Sequence, residues 1–289
     1  MTVDPHAPSK DVPSALADAD GIHYASGPNA LDDNETVAYP PSPSSYLDDG
    51  RIYQAANDDY ALPADDAEQA RLDNQHYGIK TIQGEKNYVA PVAEALPNQG
   101  EGKRAIDIGT GTGIWITEMA QEFPKAEWIG VDLVPVQRDD IPDNVQFVKD
   151  DITKGLAFPD ESFDFVHGRF LLLGVRDWAF VIKEATRILR PGGLLLWVDI
   201  TLPWPIVGVS EDEAQRIAPG YTKMLKAVTQ ATQSRGLENA AGQKVIEHMN
   251  DITSLENAHQ VQINVPMWPW SEEPAMKKAG QVAYAIEQC

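Results

Sequence analysis

Only one cysteine, Cys289, occurs among the 289 residues, and it is the last of them. A lone cysteine excludes an intrachain disulfide framework and a cysteine zinc site, and it fits a reducing compartment. The setting read from this is cytoplasmic, with the nucleus as the alternative. No run of about 18 apolar residues appears, so no membrane-spanning helix is expected. The N-terminus lacks a basic stretch followed by an apolar one, so no secretory signal is read there. Positive charge is scarce: 23 Lys and Arg stand against 44 Asp and Glu, a formal net charge of −21. That field repels phosphate backbones, so no nucleic acid is expected as a partner.

Hydrophobic residues make up 43% of the chain, enough for a full core in one large domain with a lid. Residues 1–50 are rich in Pro, Asp, Ser and Ala, with Lys10 their single basic side chain. They read as a disordered acidic tail. Residues 51–100 read as an N-terminal helical lid. Ala67 to His76 are good helix formers behind Asp65 and Asp66, and Asn87 to Leu96 fit a second short helix with Pro91 in its first turns.

From residue 101 strands and helices alternate. Strands are expected at Arg104–Ile108, Glu127–Asp132, Asn144–Lys149, Phe163–Val166 and Leu194–Ile200. Arg104–Ile108 barely alternates in polarity, as a parallel strand buried on both faces requires. Helices are expected over 113–123 and 177–189, the second ended by Pro191-Gly192-Gly193. The pattern is α/β, a parallel sheet with helices on both faces. Beyond Thr201 it loosens. Ser210 and Glu213 have capping-box spacing, Tyr221 to Arg235 and Gly242 to Ile252 read as helices, and Gln260–Val265 is a candidate sixth strand.

The chemistry centres on Ala105-Ile106-Asp107-Ile108-Gly109-Thr110-Gly111-Thr112-Gly113-Ile114-Trp115. A strand enters three glycines at alternate positions and a helix starts at once. Glycines at 109, 111 and 113 permit positive φ and remove every Cβ from a ligand's side. Free N–H groups at the helix N-terminus are expected to face that ligand. The dehydrogenase spacing G-x-G-x-x-G needs a third glycine at 114, where this chain has Ile114, so a nicotinamide oxidoreductase is disfavoured. The P-loop spacing fails because no Gly-Lys-Ser/Thr follows. The loop points to S-adenosylmethionine (SAM) ahead of a dinucleotide.

Three acidic positions support that ligand. Asp107 sits within an apolar strand and must find donors, which the loop or a ligand ammonium supplies. Asp132 ends the second strand 19 residues past Gly113, the spacing of a ribose acceptor. Asp151, preferred over Asp150, is placed to accept from an adenine amino group, with Ile152 N–H reaching a ring nitrogen; a plain Asx turn is the alternative. His167 and Arg169 are expected just past the fourth strand. His167 is a general base, a wall for the cofactor's methionine end, or a structural histidine, the last being the commonest case. Arg169 is read as the partner of a carboxylate that holds the loop.

These motifs, with Val131-Asp132-Leu133 and Leu189-Arg190-Pro191-Gly192-Gly193, resemble the class I SAM-dependent methyltransferases. Tyr60-Ala61-Leu62-Pro63-Ala64-Asp65, Glu68, Arg71-Leu72-Asp73-Asn74-Gln75-His76, Phe163 to Arg169 and Asp177-Trp178 narrow the resemblance to the fungal LaeA-like methyltransferases of secondary metabolism, over residues 51 to 270. The resemblance implies a Rossmann-like, doubly wound sheet of seven strands with the last antiparallel. It implies that Asp107, Gly109, Thr110, Gly111 and Gly113 line the methionine and ribose region. Asp132 and Leu133 would then take the ribose, and Asp151 and Ile152 the adenine. The segment Arg71 to His76 would close over the cofactor. Only 19 residues follow Trp270, so the last strand is not placed and an exposed sheet edge is expected, open to a protein partner or a second copy. The expected substrate is a small-molecule acceptor, held on the side of an insertion at 201–259. Trp204, Tyr221, Met224, Trp268 and Trp270 are candidates for its pocket. No metal is expected.

Overall fold

Five segments of the chain fold into one parallel sheet, and the three at its centre are apolar runs buried along nearly their whole length. The computed structural model describes residues 45–48, 50–54, 60, 62–136, 138–202, 206, 209–263, 272, 274 and 276–278. In chain order the elements are β1 (Ser45–Asp48), β2 (Arg51–Gln54), α1 (Asp66–Ile82), α2 (Val92–Ala95), α3 (Pro97–Gly100), β3 (Arg104–Ile108), α4 (Ile114–Glu122), β4 (Glu127–Asp132), β5 (Val145–Lys149), β6 (Phe163–Arg169), α5 (Trp178–Arg187), β7 (Leu189–Val198), α6 (Glu211–Ile217), α7 (Pro219–Ser234) and α8 (Ala241–Asp251). The sheet order is β5-β4-β3-β6-β7, and every neighbouring pair is parallel.

Side chains of β3 separate by parity, as pleating demands. Ala105 joins Phe165, Trp128 and the α4 residues Trp115, Ile116 and Met119 on one face. Ile106 and Ile108 join Val166, Ala185 of α5 and Ile188 just past its end on the other. The Trp115 and Trp128 rings meet edge to face at 6.1 Å, worth about 0.5–1.5 kcal/mol beyond their area. A third cluster holds α8 to α5, with Ala241 and Val245 against Trp178, Val181 and Ile182.

Several expectations needed correction. Residues 45–48, read as the end of the tail, instead pair with 51–54 in a hairpin whose loop carries Asp49-Gly50 in the sequence, a strong two-residue turn signal that the polar composition masked. The rest of the tail lies outside the described residues. The lid region therefore begins with this hairpin, and α1 runs six residues past His76, to Ile82. Strand β6 extends to Arg169, so His167 and Arg169 lie within it. Helix α5 stops at Arg187, and Pro191-Gly192-Gly193 lies inside β7. Proline is tolerated there because β7 ends the strand order and the register slips between Phe163 and Phe165. Gln260 to Ile263 form no strand; Val261 is 62% exposed, and the remainder of that candidate lies outside the described residues. Five parallel strands are present among the described residues, against the seven that the resemblance implied.

Gly130 at the centre of β4 shows how tightly the sheet supports the glycine loop. A Cβ there would lie 2.6 Å from the Phe147 ring and 3.1 Å from Thr110 Cγ2. Gly130→Ala is expected to destabilise the chain by about 1–3 kcal/mol, read as a lower urea midpoint at unchanged slope.

Candidate functional site: a cleft at the strand tips

The carboxyl ends of β3, β4, β5 and β6 open into a cleft of about 940 Å³, its open mouth included. In parallel sheets loops and ligands gather at this edge. Gly109, Thr110 and Gly111 form its floor, Asp132 and Leu133 one side, and Asp151 and Ile152 the far end. His76 and Leu72 of α1 cover it, and Arg169 closes the β6 side. Of the expected cofactor residues, Asp107, Gly113 and Arg71 do not line the cleft.

Gly109, Gly111 and Gly113 all have positive φ, between 59° and 75°. Their roles differ. A Cβ on Gly109 would lie 2.2 Å from Leu171 Cδ2, so this glycine lets the β6 tip approach the loop. Gly113 caps α4 in the left-handed region and packs on Phe147 and Val136, away from the cleft. The expected free N–H groups are largely engaged within the protein. Gly109 and Thr110 N–H both donate to Val131 O, Gly111 N–H donates to Asp132 Oδ2 at 2.7 Å, and Gly113 N–H donates to Thr110 O. The loop folds back on β4 because its backbone donors cannot stay unpaired beside a buried strand.

Asp107 is 3% exposed, and its carboxylate faces the protein interior. Thr110 Oγ1 donates to Oδ2 at 2.7 Å, and His167 Nδ1 lies 2.7 Å from Oδ1. Asp107 and His167 are register partners in β3 and β6, so parity places them on the same face. His167 is 1% exposed, is absent from the cleft wall, and stacks on Trp115 at 3.6 Å between centroids. Burial pushes its pKa below the usual histidine value, against the pull of Asp107. A neutral ring then donates Nδ1–H to the carboxylate. Asp107 holds His167 under the loop and off the cleft wall, where a general base would have to stand.

Asp132 lies at the β4 tip on the cleft wall, with Oδ1 accepting from Val134 N–H at 2.9 Å. Burial raises its pKa to about 6, against those backbone hydrogen bonds. A half-buried carboxylate with no cation on it among the described residues accepts readily from hydroxyls. Asp151 makes an Asx turn, accepting from Thr153 N–H and Oγ1, and still lines the cleft. The Asx-turn reading of Asp151 holds, and the turn faces the cleft.

Helix α1 covers the floor through polar ties. Thr112 Oγ1 donates to Asp73 at 2.5 Å, and Lys80 Nζ donates to Glu118 at 2.5 Å. His76 is 1% exposed, with Nε2 at 3.1 Å from Glu118 and Nδ1 at 3.3 Å from both Nη1 and Nη2 of Arg169. Burial and then the Arg169 charge hold His76 down to about 4. Arg71 serves the start of α1, paired with Glu68 at 2.7 Å. Arg169 is not the partner of a loop carboxylate; its hydrogen bonds go to His76.

Within the segment Arg71 to His76, expected to close over the cofactor, Leu72, Gln75 and His76 share one helix face at three- and four-residue spacing and reach the wall. Sequence reading missed other parts of it. Tyr60, Phe170, Leu171 and Val175 also line the cleft without a spacing that announces it. Phe170 has φ 57°, and this left-handed bend turns the chain from β6 across the cleft. Among the described residues none of the wall belongs to 201–259, and Tyr221 and Met224 lie off it, Met224 being 45% exposed. Trp204, Trp268 and Trp270 lie outside the described residues.

A Rossmann-like sheet with an acidic, glycine-floored cleft at its strand tips defines a nucleoside-binding α/β protein. A family model described as a methyltransferase domain matches residues 81–260. "Methyltransferase str3" of Strobilurus tenacellus is 31% identical over 222 residues, 77% of this chain and 76% of that protein. "Secondary metabolism regulator laeA" of Coprinopsis cinerea is 41% identical over 138 residues, 47% of this chain but only 34% of that protein. "Methyltransferase pytC" of Aspergillus terreus is 29% identical, over 77% of this chain and 65% of that protein. The chain belongs to the methyltransferase family, in its class I, SAM-dependent form.

The residues present fit an adenosyl group: a floor of two glycines and Thr110, a half-buried carboxylate at one strand tip and a polar turn at the next. Among the described residues no cluster of three or more His, Cys, Asp or Glu side chains is arranged to hold a metal, and no helix is long and apolar enough to cross a membrane. Asp107→Ala strands the buried Thr110 hydroxyl and the His167 ring. A loss of about 1–3 kcal/mol for each stranded group is expected, seen in chemical denaturation. S-Adenosylhomocysteine affinity should fall as well, seen in calorimetry, because the floor is freed.

Proposed function

We propose that this chain transfers the methyl group of SAM to a small organic acceptor of the secondary-metabolite kind. The carrying observation is a single cleft wall that joins the acidic β4 and β5 tips to an apolar side formed by Leu72, Ile114, Phe170, Leu171 and Val175. Relatives named methyltransferases from Strobilurus tenacellus and Aspergillus terreus support that reading.

Bound SAM supplies an electrophilic methyl group on a sulfonium, and the protein's part is to bind, orient and keep out water. In this reading Asp132 accepts from the ribose hydroxyls, while the Asp151 turn and Ile152 N–H face the adenine. Gly109 and Gly111 let the floor come close. Leu72 and His76 cover the site from α1. His167 acts at one remove, as a positioning residue: through Asp107 and Thr110 it sets the floor. The one imidazole on the described wall, His76, has both nitrogens engaged and is held near pKa 4, so it is a poor base at neutral pH. The site therefore suits an acceptor that needs no proton removed, a carboxylate or a neutral amine.

A second reading has one specific observation behind it: the 41% identity to a protein named as a secondary metabolism regulator. In that reading the chain binds SAM and methylates protein, or acts through a partner docked on the sheet edge. Radiolabelled SAM separates the two. Label in extracted small molecules supports the first reading; label confined to protein bands, or none transferred, overturns it.

The pH dependence of cofactor binding follows from Asp132. Ribose hydroxyls donate to the ionised carboxylate, and the free-state pKa is about 6. Protonation as the pH falls therefore removes the acceptor. Affinity for S-adenosylhomocysteine should be flat above pH 7 and weaken by about tenfold per unit below the pKa. Asp132→Asn should weaken binding at neutral pH and flatten the profile, both by calorimetry; an unchanged slope in that variant would remove Asp132 from the ribose.

A further inference from the structure

The β6 tip holds a guanidinium whose only hydrogen-bond partner among the described residues is a neutral imidazole. Arg169 lines the cleft, and its Nη1 and Nη2 each donate one N–H to His76 Nδ1 at 3.3 Å. No ion pair is formed by it among the described residues; its other close contact is the Phe170 ring, 5.6 Å from Cζ to centroid. A guanidinium has five N–H donors, so most of its donor capacity is left over. The nearest negative charges, Asp107 and Glu118, act on it through space, and both are committed elsewhere, Asp107 to Thr110 and His167, Glu118 to His76 and Lys80.

His76 is built to present this cation. Glu118 fixes its tautomer, because a carboxylate can only accept, so Nε2 carries the proton and Nδ1 offers a lone pair to Arg169. Burial lowers the Arg169 pKa to about 10, which still leaves it charged at neutral pH. A half-buried cation with no counter-ion among the described residues is poised to take an anion from the cleft. Planar fork geometry favours a carboxylate.

We propose that Arg169, held by His76, is the receptor for a carboxylate that enters the cleft with a ligand. This rests on the methyl-donor reading above. The strand order names the first source. Asp151, Asp132, the glycine floor and Arg169 follow one another across β5, β4, β3 and β6. An adenosyl group set between the first two directs its amino-acid tail toward the last. A carboxylic acid acceptor on the apolar side of the cleft is the second source of the same chemistry.

Calorimetry on the full chain tests this with three probes: S-adenosylhomocysteine, its decarboxylated analogue, which keeps the ammonium, and benzoate added to the chain saturated with S-adenosylhomocysteine. The wild type should prefer S-adenosylhomocysteine over the analogue by roughly ten- to a hundredfold, the range of a charge-assisted hydrogen bond. Arg169→Gln should lose that preference and Arg169→Lys should keep part of it. If the preference is small and benzoate binds in an Arg169-dependent way, the carboxylate belongs to the acceptor. The proposal is overturned if Arg169→Gln leaves both the preference and benzoate binding as in the wild type. It is overturned without any variant, so that misfolding cannot shelter it, if the wild type shows neither. Absence of S-adenosylhomocysteine binding by the wild type would instead overturn the methyl-donor reading, and this one with it.

Discussion

The carboxylate of Asp107 is the constraint on which the cleft depends. It lies in the middle of the sheet, where an unpaired charge is costly, and it is satisfied by one hydroxyl and one ring N–H. Those two donors come from different places in the chain. Thr110 belongs to the glycine loop and His167 to β6, so one buried acceptor fixes the loop against the neighbouring strand. Trp115, stacked on His167, then adds the first turn of α4 to the same cluster. The negative charge also reaches beyond its contacts. Burial dominates the electrostatics on both sides of the cleft; the Asp107 charge adds a smaller effect, favouring the charged form of Arg169 and disfavouring that of Asp132.

Much of this was legible in the sequence, for reasons that can be stated. Strands β3 and β4 were read to their exact residues because an apolar run with no alternation has few alternatives once a glycine turn or a proline bounds it. Asp132 and Asp151 were placed on the wall by spacing alone, since the carboxyl end of a parallel strand is where a ligand must sit. What failed was the distinction between facing a ligand and supporting the residues that do. Asp107 and Gly113 belong to the same motif as Gly109 and Gly111, yet they point into the protein. Spacing along one strand gives parity, but only the pairing with β6 shows that position 107 meets position 167 on the α4 face. His167 could not be relieved of its catalytic reading without that partner. The PGG turn was misread for the opposite reason: a strong local breaker was overridden by its place on an edge strand with a slipped register.

The lid differs in kind from the sheet it covers. Helix α1 buries few side chains, and those are Glu68, His76, Gly78 and Thr81. It is tied down by polar contacts, Asp73 to Thr112, and His76 and Lys80 to Glu118. Individual ties of this sort are each worth about 0.5–1.5 kcal/mol net, far less than the burial that holds β3 or α4. Local opening free energies tend to follow that ranking, which places α1 below the sheet in local stability. A ligand must enter under some element, and the one with a polar underside releases it without exposing a hydrophobic face to water.

The same polar underside bears on the chemistry. A methyl transfer needs the nucleophile and the sulfur in line and water excluded; it needs a base only when the acceptor arrives with a proton to lose. His76 stands where such a base would stand, over the cleft, but Glu118 takes one nitrogen and Arg169 the other. Burial beside a cation holds its pKa near 4, two units and more below the range in which a histidine takes a proton at neutral pH. Removing Arg169's charge would raise that pKa and free the lone pair, so a chain that needed a base here had one substitution to make. Keeping a guanidinium on the imidazole sacrifices the base for a cation, and that exchange is useful only where an anion is to be held.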